Sequence, residues 1–234
     1  MALLGTLING ACILLGTVIG LFFTKIPEKM KQTIMNGIGL AVLLIGMQMA
    51  FKTENIVIVL LSLLTGAILG EVLQLDSNLN RFGQWVETKF KSKSEVSVAQ
   101  GFITASLIFV VGAMAVIGAL DSGLRGDHEV LITKGILDGF VALVLTTTLG
   151  FGVVLSVIPV LLYQGTIALL ATNIQRMLPE EFMDMFIIEM TATGGLLIVA
   201  IGLNLLKITD IKVANLLPSI VMVALFIAIY QAWF

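Results

Sequence analysis

Two carboxylates in this chain sit where a carboxylate is costly. Asp138 and Glu189 lie within long apolar runs, and an ionised group in hydrocarbon persists only when it is paired or put to use. Asp138 follows Lys134 by four residues, a spacing that lets the two pair along one helix face. The same carboxylate could instead hold a cation or carry a proton. Glu189 precedes Thr191, Thr193, Gly194 and Gly195. Carboxylate, hydroxyls and glycines together could form a local helix break that coordinates a cation; the alternative is an interfacial acid beside a packing face. Asn9, Gln164 and Asn204 are uncharged amides in apolar surroundings. They could shape a polar site or act as interhelical hydrogen-bonding groups, as could Gln48 and Asn215.

Other chemistries lack their residues. No Gly-x-x-x-x-Gly-Lys-Ser/Thr loop is present to cradle a nucleotide phosphate. The one histidine, His128, lies in the polar stretch Arg125-Gly-Asp-His-Glu129, so neither a histidine zinc site nor a Ser-His-Asp arrangement is credible. The lone Cys12 rules out an internal disulfide or a cysteine metal cluster. No cofactor, no metal and no enzymatic activity are therefore expected. With 13 basic and 15 acidic residues the charge nearly cancels, which argues against nucleic acid as a partner.

The elements that must position the polar residues are membrane helices. Apolar residues make up 58% of the chain and charged residues 12%, against about 25% charged in an average soluble domain. A hydrocarbon core about 30 Å thick takes about 20 helical residues. On that measure spans are predicted at 3–23, 32–51, 55–74, 98–120, 133–149, 151–172, 187–206 and 212–233. The first is expected to be a retained helix, since no basic segment or small-residue cleavage site marks a signal peptide. The uncharged stretch Ile136 to Ala171 would reach roughly 50 Å as one helix, too long for a single crossing. Thr147-Thr-Leu-Gly-Phe-Gly152 offers the glycines for a tight hairpin between two spans. Its likeness to a potassium-channel filter is discounted, because a filter needs a pore helix, a lining helix and four-fold assembly.

With eight spans and both termini outside, the inner loops hold Lys25, Lys29, Lys31, Arg81, Lys89, Lys91, Lys93, Lys207 and Lys212. The outer loops hold only Lys52, Arg125, Lys134 and Arg176, as the positive-inside rule requires. The polar loop 75–97 places Leu79, Phe82, Val86 and Phe90 near helical spacing, which predicts a short amphipathic helix on the cytoplasmic face. Pro179-Glu-Glu has the composition of a helix start.

The two halves of the chain also match each other. Gly39-Leu-Ala-Val-Leu-Leu-Ile-Gly46 parallels Gly195-Leu-Leu-Ile-Val-Ala-Ile-Gly202, Gln48 parallels Asn204, and Gly16-Thr17 parallels Gly165-Thr166. Five spans separate the equivalents, so the triplets of spans 1–3 and 6–8 would cross the membrane in opposite senses. The predicted fold is all-α and polytopic, one integral membrane domain over 1–234. It divides into a first repeat (1–74), the cytoplasmic loop (75–97), two central helices (98–149) and a second, inverted repeat (151–234). Gly112, Gly118, Gly150, Gly152, Gly194 and Gly195 are the glycines expected to break helices or let backbones approach closely.

Gly5-Thr-Leu-Ile-Asn9, Gly16-Thr-Val-Ile-Gly20, Gly112-Ala-Met-Ala-Val-Ile-Gly118, Tyr163-Gln-Gly165, Thr193-Gly-Gly195, Gly202-Leu-Asn204 and Asn215-Leu-Leu-Pro218 occur in this order. Together they resemble the YdfK/YqgA type of bacterial inner-membrane protein, domain of unknown function 554, over essentially the whole chain. The resemblance implies a plasma-membrane location and at most a transport role. It carries over no substrate and no catalytic residue.

The leading expectation is a secondary transporter or ion-translocating protein with its site between the repeats. Asp138 and Glu189 would bind a cation or proton, and Asn9, Gln164 and Asn204 would shape the site. An oligomeric channel and a non-transporting scaffold or stress protein are the alternatives, with an intramembrane enzyme behind them. The expected partners are the lipid bilayer, a cation or small solute, and, for the channel reading, further copies of the chain.

Overall fold

The computed structural model describes residues 2–23, 28–90 and 97–233. Among these the chain is helical, with no strand. The helices are α1 (Leu4–Phe22), α2 (Glu28–Ala50), α3 (Ile56–Val72), α4 (Leu75–Phe90), α5 (Val98–Val110) and α6 (Ala113–Leu124). They continue with α7 (Glu129–Leu149), α8 (Val157–Met177), α9 (Glu180–Leu205), α10 (Val213–Leu216) and α11 (Pro218–Trp233). A 3-10 segment, Gly150–Ser156, joins α7 to α8. Five helical stretches among the described residues are long and apolar enough to cross a bilayer, or seven if each of two bent helix pairs is one crossing.

The helices gather into two compact units that do not follow chain order. The first comprises Met1–Gln32 and Phe82–Met177; the second comprises Thr33–Arg81 and Leu178–Phe234.

In the first unit, α1 buries Gly5, Thr6, Asn9, Gly10, Ile13, Gly16, Thr17 and Gly20, a stripe at spacings of three and four. Leu7, Leu14, Leu15, Val18 and Ile19 are exposed. This is the pattern of a helix in lipid, where small residues face protein and large apolar ones face hydrocarbon. α7 runs parallel to this stripe: Gly5 faces Leu131, Gly16 faces Gly139, and Gly20 faces Leu143 and Thr146. The approach is very close, since a Cβ on Gly16 would lie 1.9 Å from the Gly139 carbonyl oxygen. α8 runs the other way along α1, with Gly10 facing Leu161 and Val157, and Gly165 facing Leu3. The chain therefore reverses between α7 and α8, at the position the glycines predict. The reversal is not a tight hairpin but is spread over seven residues of 3-10 helix. Gly150 begins it at φ 69°, a region open to glycine. Gly152 then lies against the Val98 carbonyl of α5, where a Cβ would come within 2.4 Å.

The predicted span 98–120 is broken. α5 ends at Val110, Gly112 adopts φ 144° and ψ 152°, and α6 leaves at 59°. Such a conformation is readily adopted only by glycine, and unwound backbone at membrane depth is tolerated where protein or a cavity surrounds it.

In the second unit, α9 is the central helix and is buried along most of its length from Glu189 to Leu205. It starts at Glu180 behind Pro179, as the proline and acids predict. The two matched segments pack on one another. Gly39 of α2 faces Leu206 and the Gly202 carbonyl, and Gly46 faces Val199 and the Gly195 carbonyl. The first glycine of each segment thus meets the last of the other, so α2 and α9 run antiparallel here. On the other side, Gly66 and Gly70 of α3 bring its backbone onto Ser219 and Asn215, antiparallel to α11. α9 is continuous through Thr191–Gly195, so the helix break expected there is not formed; glycines inside this helix serve close packing instead.

The loop 75–97 contains the expected helix as α4, bent 54° from α3. The expected roles of Phe82, Val86, Glu87, Lys89, Phe90, Lys91 and Lys93, and of Lys25 and Lys31, concern side chains or residues outside those described.

Gly16→Ala should separate α1 from α7, because the new methyl meets backbone that no rotamer change can move. The expected cost is about 1–3 kcal/mol, read as a lower Tm in detergent. Gly37→Ala, with nothing within 4 Å of the new methyl, should be neutral or stabilising by about 0.5–1 kcal/mol.

Candidate functional site

The close packing of α1 on α7 brings polar residues together inside the first unit. Asn9 lies against the backbone of Gly135, where a Cβ on the glycine would be 3.0 Å from the Asn9 Cα. Lys134 and Asp138 flank Gly135 on α7, and Gln164 comes from α8. Asn9 and Gln164 are fully buried; Asp138 and Lys134 are 6% and 7% exposed. The Lys134 Nζ donates to Asp138 Oδ2. Asn9 Nδ2 donates to Gln164 Oε1 at 3.2 Å, and the Asn9 side chain also reaches Asp138.

Several polar atoms here have no protein partner: Asn9 Oδ1, Gln164 Nε2 and, one turn before Asn9, Thr6 Oγ1. A buried donor or acceptor left unmade costs about 1–3 kcal/mol. The ion pair is costly too, since desolvating two charges takes several kcal/mol per ion before their attraction offsets it. Its order along the helix, Lys before Asp, is the less favourable one for an i,i+4 pair. The cluster thus concentrates buried charge and unpartnered amide atoms in a glycine-packed unit. Such placements mark functional sites in membrane proteins.

Glu189 stands in the second unit, in a different role. It is fully buried. Its carboxylate accepts from Thr53 Oγ1 at 2.6 Å, from the Glu54 amide at 2.9 Å and from the Asn55 amide at 2.8 Å. Asn55 in turn caps α3, its Oδ1 accepting from the Val57 amide. The carboxylate therefore completes the N-terminus of α3, where the helix dipole favours negative charge. With both oxygens engaged, Glu189 ties α9 to the α2–α3 loop. Asn204 likewise holds a loop: its Oδ1 accepts from Thr209 Oγ1 and the Ile211 amide, and its Nδ2 donates to the Ile211 carbonyl. Asn215 joins α10 to α3, donating to Glu71 and accepting from the Asp76 amide.

Of the sequence-predicted residues, the structure brings Asn9, Asp138 and Gln164 together. It places Glu189 and Asn204 in the other unit, each bound to a neighbouring loop. Gly112 and Gly150 mark backbone breaks, Gly118 packs on Leu131, Gly152 on Val98, and Gly194 and Gly195 lie inside α9. Lys134, placed in an outer loop by the charge pattern, is buried and joins the cluster. The signal was its spacing from Asp138. His128 bonds through Nδ1 to Ser122 Oγ, which donates to the Ala2 carbonyl, and so anchors the start of the chain. Among the described residues no group of three metal-ligating side chains converges.

Long apolar helices enclosing buried charged and amide side chains define an all-helical integral membrane protein. The chain belongs to the family described as "Protein of unknown function (DUF554)", which matches residues 4–228. It is 30% identical to "Uncharacterized membrane protein YdfK" of Bacillus subtilis (strain 168) over 234 residues, 98% of this chain and 97% of the relative. It is 31% identical to "Uncharacterized protein YqgA" of Escherichia coli (strain K12) over 236 residues, 99% of both chains. No solved structure matches it.

Asp138→Asn should destabilise the first unit by about 3–5 kcal/mol, because it strands the buried Lys134 ammonium. Replacing both partners (Lys134→Met with Asp138→Leu) should recover most of the lost Tm. Glu189→Ala should lower the Tm as well and loosen the α2–α3 loop. Hydrogen exchange should then accelerate at the Glu54 and Asn55 amides while the first unit remains protected.

Proposed function

We propose that this chain is a secondary transporter or ion-translocating protein of the bacterial plasma membrane, working through the Asn9–Lys134–Asp138–Gln164 cluster. The observation that carries the reading is this buried ion pair among unpartnered amide atoms. A protein that needed only stability would fill the position with apolar side chains at no loss. The break at Gly112 supports it, since discontinuous helices recur at transporter binding sites. Gly118 sets α6 against Leu131 of α7, and the short link between these helices makes them antiparallel. Followed back along α6, that register leads from Gly118 toward the break and, along α7, from Leu131 toward Asp138.

The packing of Gly39–Gly46 on Gly195–Gly202 supports an inverted repeat, because exchanging the two segments maps the contacts onto themselves. The composition of the units agrees: α1 and α8 share one, while α2, α3, α9 and α11 share the other. Counting each bent pair as one crossing and the α7–α8 stretch as two gives eight crossings. The basic residues then favour both termini outside. Under this reading the chain is not an enzyme, and Glu189 is a structural acid rather than an ion ligand.

Flux into proteoliposomes tests the proposal, with a pH-sensitive dye and a potential-sensitive dye inside and a pool of small metabolites and inorganic ions outside. Wild-type protein should give saturable, solute-dependent flux, reduced at least tenfold by Asn9→Ala or Gln164→Ala in preparations that keep a cooperative thermal transition. Absence of flux, or flux unchanged in both variants, overturns it.

A further inference from the structure

We propose that the cluster of the first unit takes a small zwitterion, a solute carrying one ammonium and one carboxylate; the inference rests on the transport reading above and names its substrate class. The argument begins with charge. Lys134 and Asp138 are both buried and are bonded to one another, so the site as built is electrically neutral. A free cation attracted to Asp138 would meet the Lys134 ammonium already in place. A free anion attracted to Lys134 would meet the Asp138 carboxylate. Either would leave one net charge in a medium of low dielectric, where uncompensated charge is most costly.

The hydrogen-bonding groups sort the same way. The site offers two acceptors, the Asp138 carboxylate and the unpartnered Asn9 Oδ1. It offers two donors, the Lys134 ammonium and the unpartnered Gln164 Nε2. An ammonium on the solute satisfies both acceptors, and a carboxylate satisfies both donors. Binding then exchanges one internal ion pair for two ion pairs to solute, and the two orphaned amide atoms gain partners. With no solute, Lys134 and Asp138 close on each other and act as each other's stand-in. A neutral amide would engage the two free amide atoms but leave the ion pair untouched. The bond from Asn9 Nδ2 to Gln164 Oε1 holds the amide from α1 and the amide from α8 in one place.

The test uses the full-length protein in lipid nanodiscs and reads binding by thermal shift and calorimetry. The probes are a pool of free amino acids, then alanine, alanine amide (cation only), N-acetylalanine (anion only) and acetamide (neutral). The expected result is saturable stabilisation by the free amino acid pool, and by any single active member at least tenfold more tightly than by its amide or N-acetyl derivative. Gln164→Ala and Asn9→Ala should each weaken that binding about tenfold while keeping a cooperative transition. No binding by any free amino acid, or equal binding of the blocked forms, overturns the proposal. Preferred binding of acetamide overturns it in favour of a neutral solute. The two readings separate cleanly. Cluster-dependent flux of ions with no amino acid effect sinks the substrate class and leaves transport standing. Zwitterion binding without flux keeps the site and sinks transport.

Discussion

The contact between α1 and α7 is the constraint on which the first unit depends. Two helices can bring polar side chains onto a common axis only if their backbones come close, and in lipid no hydrophobic force pushes them together. Glycine supplies the approach. Gly16 against Gly139 and Gly20 against Leu143 leave no room even for a methyl group. Dispersion contacts along this seam then replace the driving force that water provides elsewhere. The same seam fixes Asn9 beside Gly135, next to the ion pair of α7. Close backbone packing and unpartnered amide atoms are therefore neighbours, and the first holds the second in place.

The second unit solves a different problem with similar means. There a carboxylate is buried but fully bonded. Glu189 takes three donors from the α2–α3 connection, so its charge is absorbed by a helix terminus. Comparing the two acids shows two ways of burying a charge. Burial is common to both. What differs is that both oxygens of the Glu189 carboxylate are bonded to one loop, whereas two amide atoms beside Asp138 lack partners; such pairing is a property of neighbours that no single residue displays.

That distinction explains how much could be read from the chain. Helices were legible because long apolar runs and small-residue spacing are local features: α1 and α3 begin and end close to where composition puts them, and α9 ends there but starts two turns earlier. The turn at Gly150 and the helix start behind Pro179 were legible from backbone chemistry that only those residue types permit. The joining of Asn9 to Gln164 was anticipated as a shared polar site, though its geometry depends on three helices meeting. Of the two readings open for Glu189, the helix break does not form, and its partners, Thr53 to Asn55, lie more than 130 positions away, with two of the three bonds from backbone amides. Backbone donors leave no signature in a sequence. Lys134 was read as part of an outer loop because hydropathy averages over a window, whereas burial is decided side chain by side chain.

The neutral sum of the Lys134–Asp138 pair also has an electrical consequence. A single elementary charge moved across a membrane potential of 100 mV changes energy by about 2.3 kcal/mol. Two opposite charges held together on one helix turn feel almost no net force from that field. Any rearrangement that carries this part of α7 through the bilayer would thus be indifferent to voltage, loaded with a zwitterion or empty. The energised membrane would then neither drive the site in one direction nor trap it on one side.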